Sequence, residues 1–181
     1  MYEVALVERL NNYYEEHDDL LEDTDNQVDK YLTFFVDNQL FGIPISQVVQ
    51  ISGIQEVTEV PEFPDYVKGV ISFRETIIPL IDVRVRLKKE EIKSERQCII
   101  ITRIDDTYMG YIVDSVNEVT DIPCENIADP PQVRSDANAY IVGIAKLNGK
   151  IIILMDLNKI INEKEINLIT EGYVSEVLED E

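Results

Sequence analysis

The feature that most constrains the fold of this chain is an internal duplication. The segment 37–51, DNQLFGIPISQVVQI, recurs 68 residues later as 105–119, DDTYMGYIVDSVNEV. A second segment, 69–83, GVISFRETIIPLIDV, recurs 74 residues later as 143–157, GIAKLNGKIIILMDL. Two blocks that recur in the same order predict two related structural units, and the alternative is chance similarity among β-rich segments.

Both units consist of short runs of β-branched and aromatic residues, which are typical of strands. We predict strands at 31–36, 40–45, 47–57, 67–73 and 76–83 in the first unit, and at 97–104, 107–113, 115–122, 140–147 and 150–157 in the second. Short strands at regular spacing favour small barrels or a sandwich over βαβ units. A charged connector at 84–96 would join the two units, and a short helix is predicted at 158–163.

The two units differ at one turn. Asn148-Gly149 lies between two apolar runs and is a strong hairpin signal, because both residues tolerate a positive φ angle. The first unit has Arg74-Glu75 at the equivalent position, and neither residue suits a positive φ angle, so we predict another turn geometry or a longer loop there. A charged pair in place of turn-forming residues suggests that this tip contacts a partner. The alternative is a solvated turn without a role.

The negative charge is concentrated at both ends of the chain. The 181 residues carry a net charge of −20, of which residues 1–29 contribute −9 and residues 163–181 contribute −6. We therefore predict an acidic N-terminal extension at 1–29, in which 3–14 has the spacing of a short amphipathic helix, a globular body at 30–163 and an acidic C-terminal extension at 164–181. The extensions are either solubilising segments or segments that dock on the body or on a basic partner.

The composition disfavours several classes of function. The negative charge would repel a nucleic-acid backbone, and the basic cluster at 84–93 is interleaved with glutamates, so we predict a solvated connector there and no nucleic-acid binding. No apolar run approaches the roughly 20 residues that a bilayer requires, which predicts no membrane insertion. Cys98 and Cys124 are not spaced as a disulfide framework or a zinc site, which favours the reducing cytoplasm.

The available side chains also disfavour catalysis. His17 is the sole histidine and lies in the acidic extension, while both cysteines are predicted to pack in or near the core. Asp82 and Asp156 occupy equivalent positions at strand ends, which favours capping of the following turn over acid–base chemistry. The sequence has no phosphate-binding glycine loop and no metal-ligand spacing, so we predict a protein that is not an enzyme and has no cofactor or metal.

A family resemblance rests on the duplicated segments. The run 69–84, GVISFRETIIPLIDVR, resembles the signature of the CheW-like coupling proteins of bacterial chemotaxis, approximately G-V-x-N-L-R-G-x-x-x-P-x-x-D-L-R. The segments 42–51, 110–119 and 140–157 are similar to strand motifs of that family and follow in the same order. The resemblance covers about residues 30–163 and leaves out both extensions.

This resemblance implies an all-β fold. Family members have two tandem five-stranded, SH3-like β-barrels around a shared core, and this chain would add short helices at its termini. The first barrel would comprise about residues 30–90 together with 158–163, and the second about residues 97–157.

The resemblance further implies a non-catalytic adaptor. Such proteins bridge the cytoplasmic tip of chemoreceptors, the methyl-accepting chemotaxis proteins, and the regulatory domain of a CheA-type histidine kinase. The expected location is the cytoplasm, with recruitment to membrane-associated receptor arrays. The alternative is a CheW-fold adaptor that serves a different two-component or surface-motility pathway with altered partners.

Eight residues are predicted to bind partners on the basis of this resemblance. Arg74 matches an arginine near the partner surface of the family. The full set is Arg74, Phe73, Glu75, Val48, Val49, Gln50, Val113 and Val116. The chain departs from the family pattern at Glu75, where the signature has glycine, and at Gln50, where an acidic residue is frequent. An amide bonds an arginine without charge assistance, so we expect these departures to change the choice of partner more than the fold.

Overall fold

The computed structural model describes residues 28–104, 106–130, 139–161, 164, 165 and 167. The helix predicted at 3–14, His17 and most of the C-terminal extension lie outside these residues. The described part of the chain has an α-helix, α1 at Val83–Arg86, further helical residues at 164, 165 and 167, and eleven strands. The strands are β1 Lys30–Val36, β2 Gln39–Pro44, β3 Val48–Gly53, β4 Val67–Phe73, β5 Thr76–Asp82, β6 Cys98–Ile104, β7 Thr107–Val113, β8 Ser115–Asp121, β9 Ile127–Ala128, β10 Ile141–Leu147 and β11 Lys150–Met155.

The predicted all-β fold and its ten predicted strands are confirmed. The largest difference is at β3, which ends at Gly53 because the chain leaves the sheet there. The sequence prediction missed β9, since its two residues are too few to show a period. Residues 158–163 were predicted to form a helix, and the described residues there form a short 3₁₀ turn at Leu157–Lys159.

The strands form two sheets, and each sheet takes strands from both duplicated units. Sheet A has the order β8-β1-β2-β11-β10-β9, and sheet B has the order β3-β6-β7-β5-β4. The two units exchange strands in the same way. In sheet A, β2 of the first unit pairs in parallel with β11 of the second, and in sheet B, β7 of the second unit pairs in parallel with β5 of the first. Gly42 lies opposite Leu154 in one pair, and Gly110 lies opposite Leu80 in the other.

These sheets do not follow the predicted boundaries, which placed about 30–90 with 158–163 in one barrel and about 97–157 in the other. In each unit, the chain enters the opposite sheet after its second strand, so β3 pairs with β6 and β8 pairs with β1. The repeat predicts which strands are equivalent. It does not predict whether a strand pairs with its own unit or with the other one.

Both sheets curl into small barrels, which we call barrel A and barrel B after their sheets. In barrel B, the chain after β3 returns to β4, where Thr58 and Val70 exchange backbone hydrogen bonds of 3.0 and 2.9 Å. A Cβ atom on Gly69, whose φ angle is 141°, would collide with the carbonyl oxygen of Thr58, so this approach requires glycine. In barrel A, the two edge strands β8 and β9 are connected directly along the chain by the short segment 122–126.

Three apolar clusters hold the body together. The barrel A cluster consists of Leu40, Ile122, Ala145, Ile152 and Leu154. The barrel B cluster consists of Ile71, Phe73, Ile78, Leu80, Ile99, Ile101 and Ile112. The largest, here called the central cluster, lies between the sheets and takes buried residues from both, among them Phe34, Ile43, Ile100 and Tyr111. Because apolar burial stabilises in proportion to its area, the central cluster joins the two barrels into one body.

Candidate partner-binding surface

The hairpin between β4 and β5 holds Arg74 and Glu75 in an unfavourable backbone conformation. Phe73 pairs with Thr76, so the loop has only two residues. The φ angles of Arg74 and Glu75 are 46° and 63°, in the left-handed region that costs roughly 1–2 kcal/mol for each residue other than glycine. The prediction of another turn geometry or a longer loop is therefore wrong, because the strand register fixed by the buried faces of β4 and β5 imposes a two-residue turn.

Two arginines stack on two aromatic rings at this end of barrel B. The rings of Phe73 and Tyr108 contact each other edge to face, with centroids 5.3 Å apart. The guanidinium carbon of Arg74 lies 5.1 Å from the Phe73 ring centroid, and that of Arg103 lies 5.9 Å from the Tyr108 ring centroid. Arg103 also pairs with Asp106 at 2.8 Å. A guanidinium held over a ring keeps its planar donors available for a partner carboxylate.

β3 brings two further predicted residues beside the interior of barrel B. Val49 is half-buried and packs against the barrel B cluster, the cluster to which Phe73 belongs. Gln50 is half-buried and lies opposite Ile101 in the sheet. The polar tip at Arg74 and the partly exposed strand β3 are therefore supported by one apolar cluster.

Four of the eight predicted partner-binding residues are core residues. Phe73 is 6% exposed and Val48 is 7% exposed, while Val113 and Val116 pack in the central cluster with little or no exposed area. Their side chains therefore stabilise the barrels and are not presented to a partner in this structure. The prediction missed this because an apolar residue beside a charged tip can lie on either face of its strand.

One exposed apolar residue near the tip was not predicted. Ile77 is 42% exposed on β5 and lies opposite Ser72. The signal was present in the sequence, since Ile77 alternates with the buried Ile78 along the strand. Arg74, Glu75, Val49, Gln50 and Ile77 are the exposed or half-buried residues of this surface, and we refer to them as the tip surface.

Comparisons with known proteins place this geometry in a family. The family described as "CheW-like domain" matches residues 30–165. The chain belongs to the CheW-like family. It is 30% identical to the chemotaxis protein CheW of Klebsiella aerogenes over 142 residues, which is 77% of this chain and 86% of that protein. It is also 30% identical to the chemotaxis protein CheW of Bacillus subtilis over 138 residues, which is 75% of this chain and 88% of that protein.

A solved structure agrees with this assignment. The crystal structure of the scaffolding protein TtCheW from Thermoanaerobacter tengcongensis superposes with a TM-score of 0.71 at 35% sequence identity. The match covers 76% of this chain and 96% of that chain. The two sheets described above are therefore those of a CheW-like fold.

Arg84, the last residue of the CheW-like signature, was predicted to lie in a solvated connector, and this is wrong. It is 8% exposed, and its Nη1 atom lies 2.6 Å from Asp114 Oδ2. Its Nε atom donates to the carbonyl oxygen of Glu90 at 2.7 Å, and its Nη2 atom lies 3.4 Å from Asp37 Oδ1. A buried guanidinium is costly without such partners, so Arg84 joins α1 to the β1–β2 turn and to the β7–β8 corner.

The predicted capping roles of two aspartates are confirmed. Asp82 precedes α1 and accepts a hydrogen bond from the backbone N–H of Val85 at 3.3 Å, while Asp156 accepts one from that of Asn158 at 3.0 Å. Burial raises the pKa of Asp82 above its ordinary value, and the bond from Val85 opposes this shift. Both carboxylates therefore have structural partners at equivalent places in the two CheW-like units.

The two cysteines differ in their surroundings. Cys98 is buried, as predicted, but Cys124 is exposed, so the prediction that both pack in or near the core is wrong for Cys124. Cys124 follows Pro123 in a short 3₁₀ turn at the surface, and its hydrogen bond to Asp29 raises the pKa of its thiol. A raised thiol pKa lowers the fraction of reactive thiolate.

The described residues offer little for metal or membrane binding. Within them, no group of three or more His, Cys, Asp and Glu side chains is placed to hold a metal ion. The helices in that same part of the chain are all too short or too polar to cross a membrane.

Proposed function

We propose that this chain is a non-catalytic adaptor of a bacterial chemotaxis system that couples receptors to a CheA-type histidine kinase. Relatives named as chemotaxis protein CheW, and a structural neighbour named as a scaffolding protein, support this role. The supporting observation in this chain is the tip surface, where two consecutive charged residues occupy an unfavourable two-residue turn. Glu62 and Lys88 also have positive φ angles, but Arg74 and Glu75 are two consecutive strained residues in one exposed hairpin turn, which favours a role in contact over a role in folding.

The kinase is the proposed partner of the tip surface. Arg74 presents an exposed guanidinium that is steadied over Phe73, a geometry suited to a carboxylate in a protein interface. The exposed Ile77 and the half-buried Val49 add apolar area to the tip surface, so the surface combines a charged anchor with an apolar contact. The resemblance implies that the regulatory domain of the kinase, itself CheW-like, would pack here barrel to barrel.

The receptor is proposed to bind beside the junction of the two barrels. The resemblance implies an apolar groove there for the cytoplasmic receptor tip, next to β3. Because Val48, Val113 and Val116 are buried, the half-buried residues of β3 are the available contacts. Binding to receptors would recruit the adaptor from the cytoplasm to membrane-associated arrays.

The test is a calorimetric titration of the full chain with the regulatory domain of its cognate CheA-type kinase. Arg74→Glu should weaken binding about tenfold or more, because it replaces the proposed central anchor by a carboxylate, which has the same charge as the carboxylate proposed on the partner. The matched control is Lys150→Glu, which reverses an exposed cation next to the equivalent hairpin of barrel A and changes the net charge equally. An equal loss in both variants would mean that net charge, and not the tip surface, governs binding. Thermal unfolding should be nearly unchanged in both, and a collapse in Arg74→Glu would make Arg74 structural.

A further inference from the structure

A cleft of about 530 Å³ opens in barrel B away from the tip surface. It lies between the chain that follows β3, the ends of β4, β5 and β7, and the connector that leads to β6. Asp82 lines the cleft at the far end of β5 from the hairpin turn, and the seven residues of β5 span roughly 20 Å. A partner in the cleft and a partner on the tip surface would therefore contact different areas.

The walls of the cleft are apolar and unusually exposed. Ile54 is 49% exposed and Ile92 is 36% exposed, and they are two of the six large hydrophobic side chains that are exposed among the described residues. Val57 and Ile112 continue the apolar lining inward, and Ile112 is nearly buried. Apolar area left in water at a concave site is the usual mark of a binding surface.

The cleft carries an excess of carboxylates over cations. Lys68 and Glu91 neutralise each other across the rim at 2.9 Å. The remaining charged residues of the lining are Glu59, Asp82, Glu95 and Lys93. Asp82 is buried and caps α1. The exposed charges are therefore the carboxylates of Glu59 and Glu95 against the ammonium group of Lys93, and this excess favours a cationic occupant.

The connector side of the cleft is held in place by hydrogen bonds. The buried Arg84 donates from Nε to the carbonyl oxygen of Glu90, directly before Glu91, at 2.7 Å. Further along, the backbone N–H of Ser94 donates to Gln97 Oε1 at 3.3 Å. A wall fixed in this way lowers the ordering cost of binding, so the cleft is preformed.

We propose that this cleft docks a segment of a partner protein in which a branched aliphatic side chain is next to an arginine or lysine. The aliphatic side chain would pack between Ile54 and Ile92, and the cation would lie against Glu59 and Glu95. The acidic extensions of the chain itself, with net charges of −9 and −6, are mismatched to an acidic cleft. This site goes beyond the adaptor role, since it does not involve the tip surface.

The test uses two short peptides and the full chain with labelled isoleucine methyl groups. The probes are Ac-Gly-Ile-Arg-Gly-NH₂ and its acidic counterpart Ac-Gly-Ile-Glu-Gly-NH₂, titrated while methyl spectra are recorded. The basic peptide should shift the resonances of Ile54, Ile92 and Ile112 saturably, and the acidic peptide should bind roughly two- to fivefold more weakly. The absence of saturation at millimolar basic peptide, or equal binding of the two peptides, overturns the proposal. So does a change in these resonances with protein concentration alone, which would identify a second copy as the occupant.

Two variants and one control variant keep the test specific. The double variant Glu59→Lys with Glu95→Lys changes exposed side chains and should reverse the preference toward the acidic peptide. Ile92→Ser should remove saturable binding, while Ile151→Ser, at a more exposed isoleucine of barrel A, should leave it intact. An unchanged preference in the double variant, or equal losses in the two isoleucine variants, contradicts docking in the cleft. Because none of these changes touches the tip surface, kinase binding should persist in all of them.

Discussion

The two equivalent hairpins have the same backbone and different residues at the turn. In barrel A, Asn148 and Gly149 have φ angles of 52° and 77°, and in barrel B, Arg74 and Glu75 have φ angles of 46° and 63°. Both loops have two residues, so the strand registers are also equivalent. Asn-Gly is well suited to this geometry, whereas Arg-Glu is not. The fold therefore accepts a less stable turn in barrel B alone.

A third hairpin, between β1 and β2, also has residues that suit its turn. Asp37 and Asn38, between β1 and β2, have φ angles of 51° and 61° in a loop of the same length. Asp and Asn tolerate this region because their short polar side chains bond locally to the backbone. The contrast with Arg74 and Glu75 supports the proposal that these two residues are kept for a contact and not for the stability of the turn.

Exchange of the barrel B turn for that of barrel A is expected to have the largest effect. The double variant Arg74→Asn with Glu75→Gly should weaken kinase binding by about 2 kcal/mol, because it removes a central anchor from the tip surface. The same variant should raise the free energy of unfolding by roughly 1 kcal/mol, because the new residues suit the left-handed region. Binding calorimetry and urea unfolding measure the two effects. Stability that rises while binding is retained would mean that the turn residues are not the contact.

The reverse exchange is expected to have a smaller effect, confined to stability. Asn148→Arg with Gly149→Glu places the unsuited pair in barrel A and should lower the free energy of unfolding by about 1 to 2 kcal/mol. Kinase binding should be unchanged, since this hairpin lies on the other barrel. Urea unfolding checks the first expectation and calorimetry the second. No loss of stability would show that this turn geometry tolerates any residue, which would end the argument from strain.

The sequence predicted the strands well because alternation and turn residues are local signals. The ten predicted strands are present, and the capping of Asp82 and Asp156 follows from their places at strand ends. The assignment of strands to sheets is not local. Nothing in the duplicated segments predicts that β3 pairs with β6 and β8 with β1, because equivalent strands carry similar patterns.

The structure divides the predicted partner-binding residues by exposure, because the charged turn is exposed and several of the apolar residues are buried. Arg74 and Glu75 are exposed because a two-residue turn leaves their side chains no core to enter. Phe73 and Val48 pack inward, since the face of a strand that meets the core depends on pairing across the barrel. Arg84 was misassigned for the same reason, because its partner Asp114 is close only in the folded chain.

The smallest expected effect comes from a difference between two equivalent tyrosines, which lie at the base of the two hairpins. Tyr66 and Tyr140 are equivalent, and each accepts at its carbonyl oxygen a bond of 2.8 Å from the aspartate that ends the hairpin. Their hydroxyl groups differ, because Tyr66 donates to Glu165 at 2.8 Å. Burial, and then the bond to Glu165, raise the pKa of Tyr66 from 10.0 to about 12, whereas burial alone raises that of Tyr140, and Arg86 opposes the shift in both tyrosines.

This difference predicts a dependence of stability on pH. The folded chain holds the Tyr66 proton more tightly than the unfolded chain, so the contribution is fully present below pH 10 and is lost as the pH rises from 10 to about 12. Solvent screening limits it to roughly 0.5 kcal/mol. In urea unfolding across that range, Tyr66→Phe should make the decline shallower, and Tyr140→Phe should do so less. Equal slopes in the two variants would mean that the contact with Glu165 adds nothing to the effect of burial, and that the two units are equivalent at this end of the hairpin.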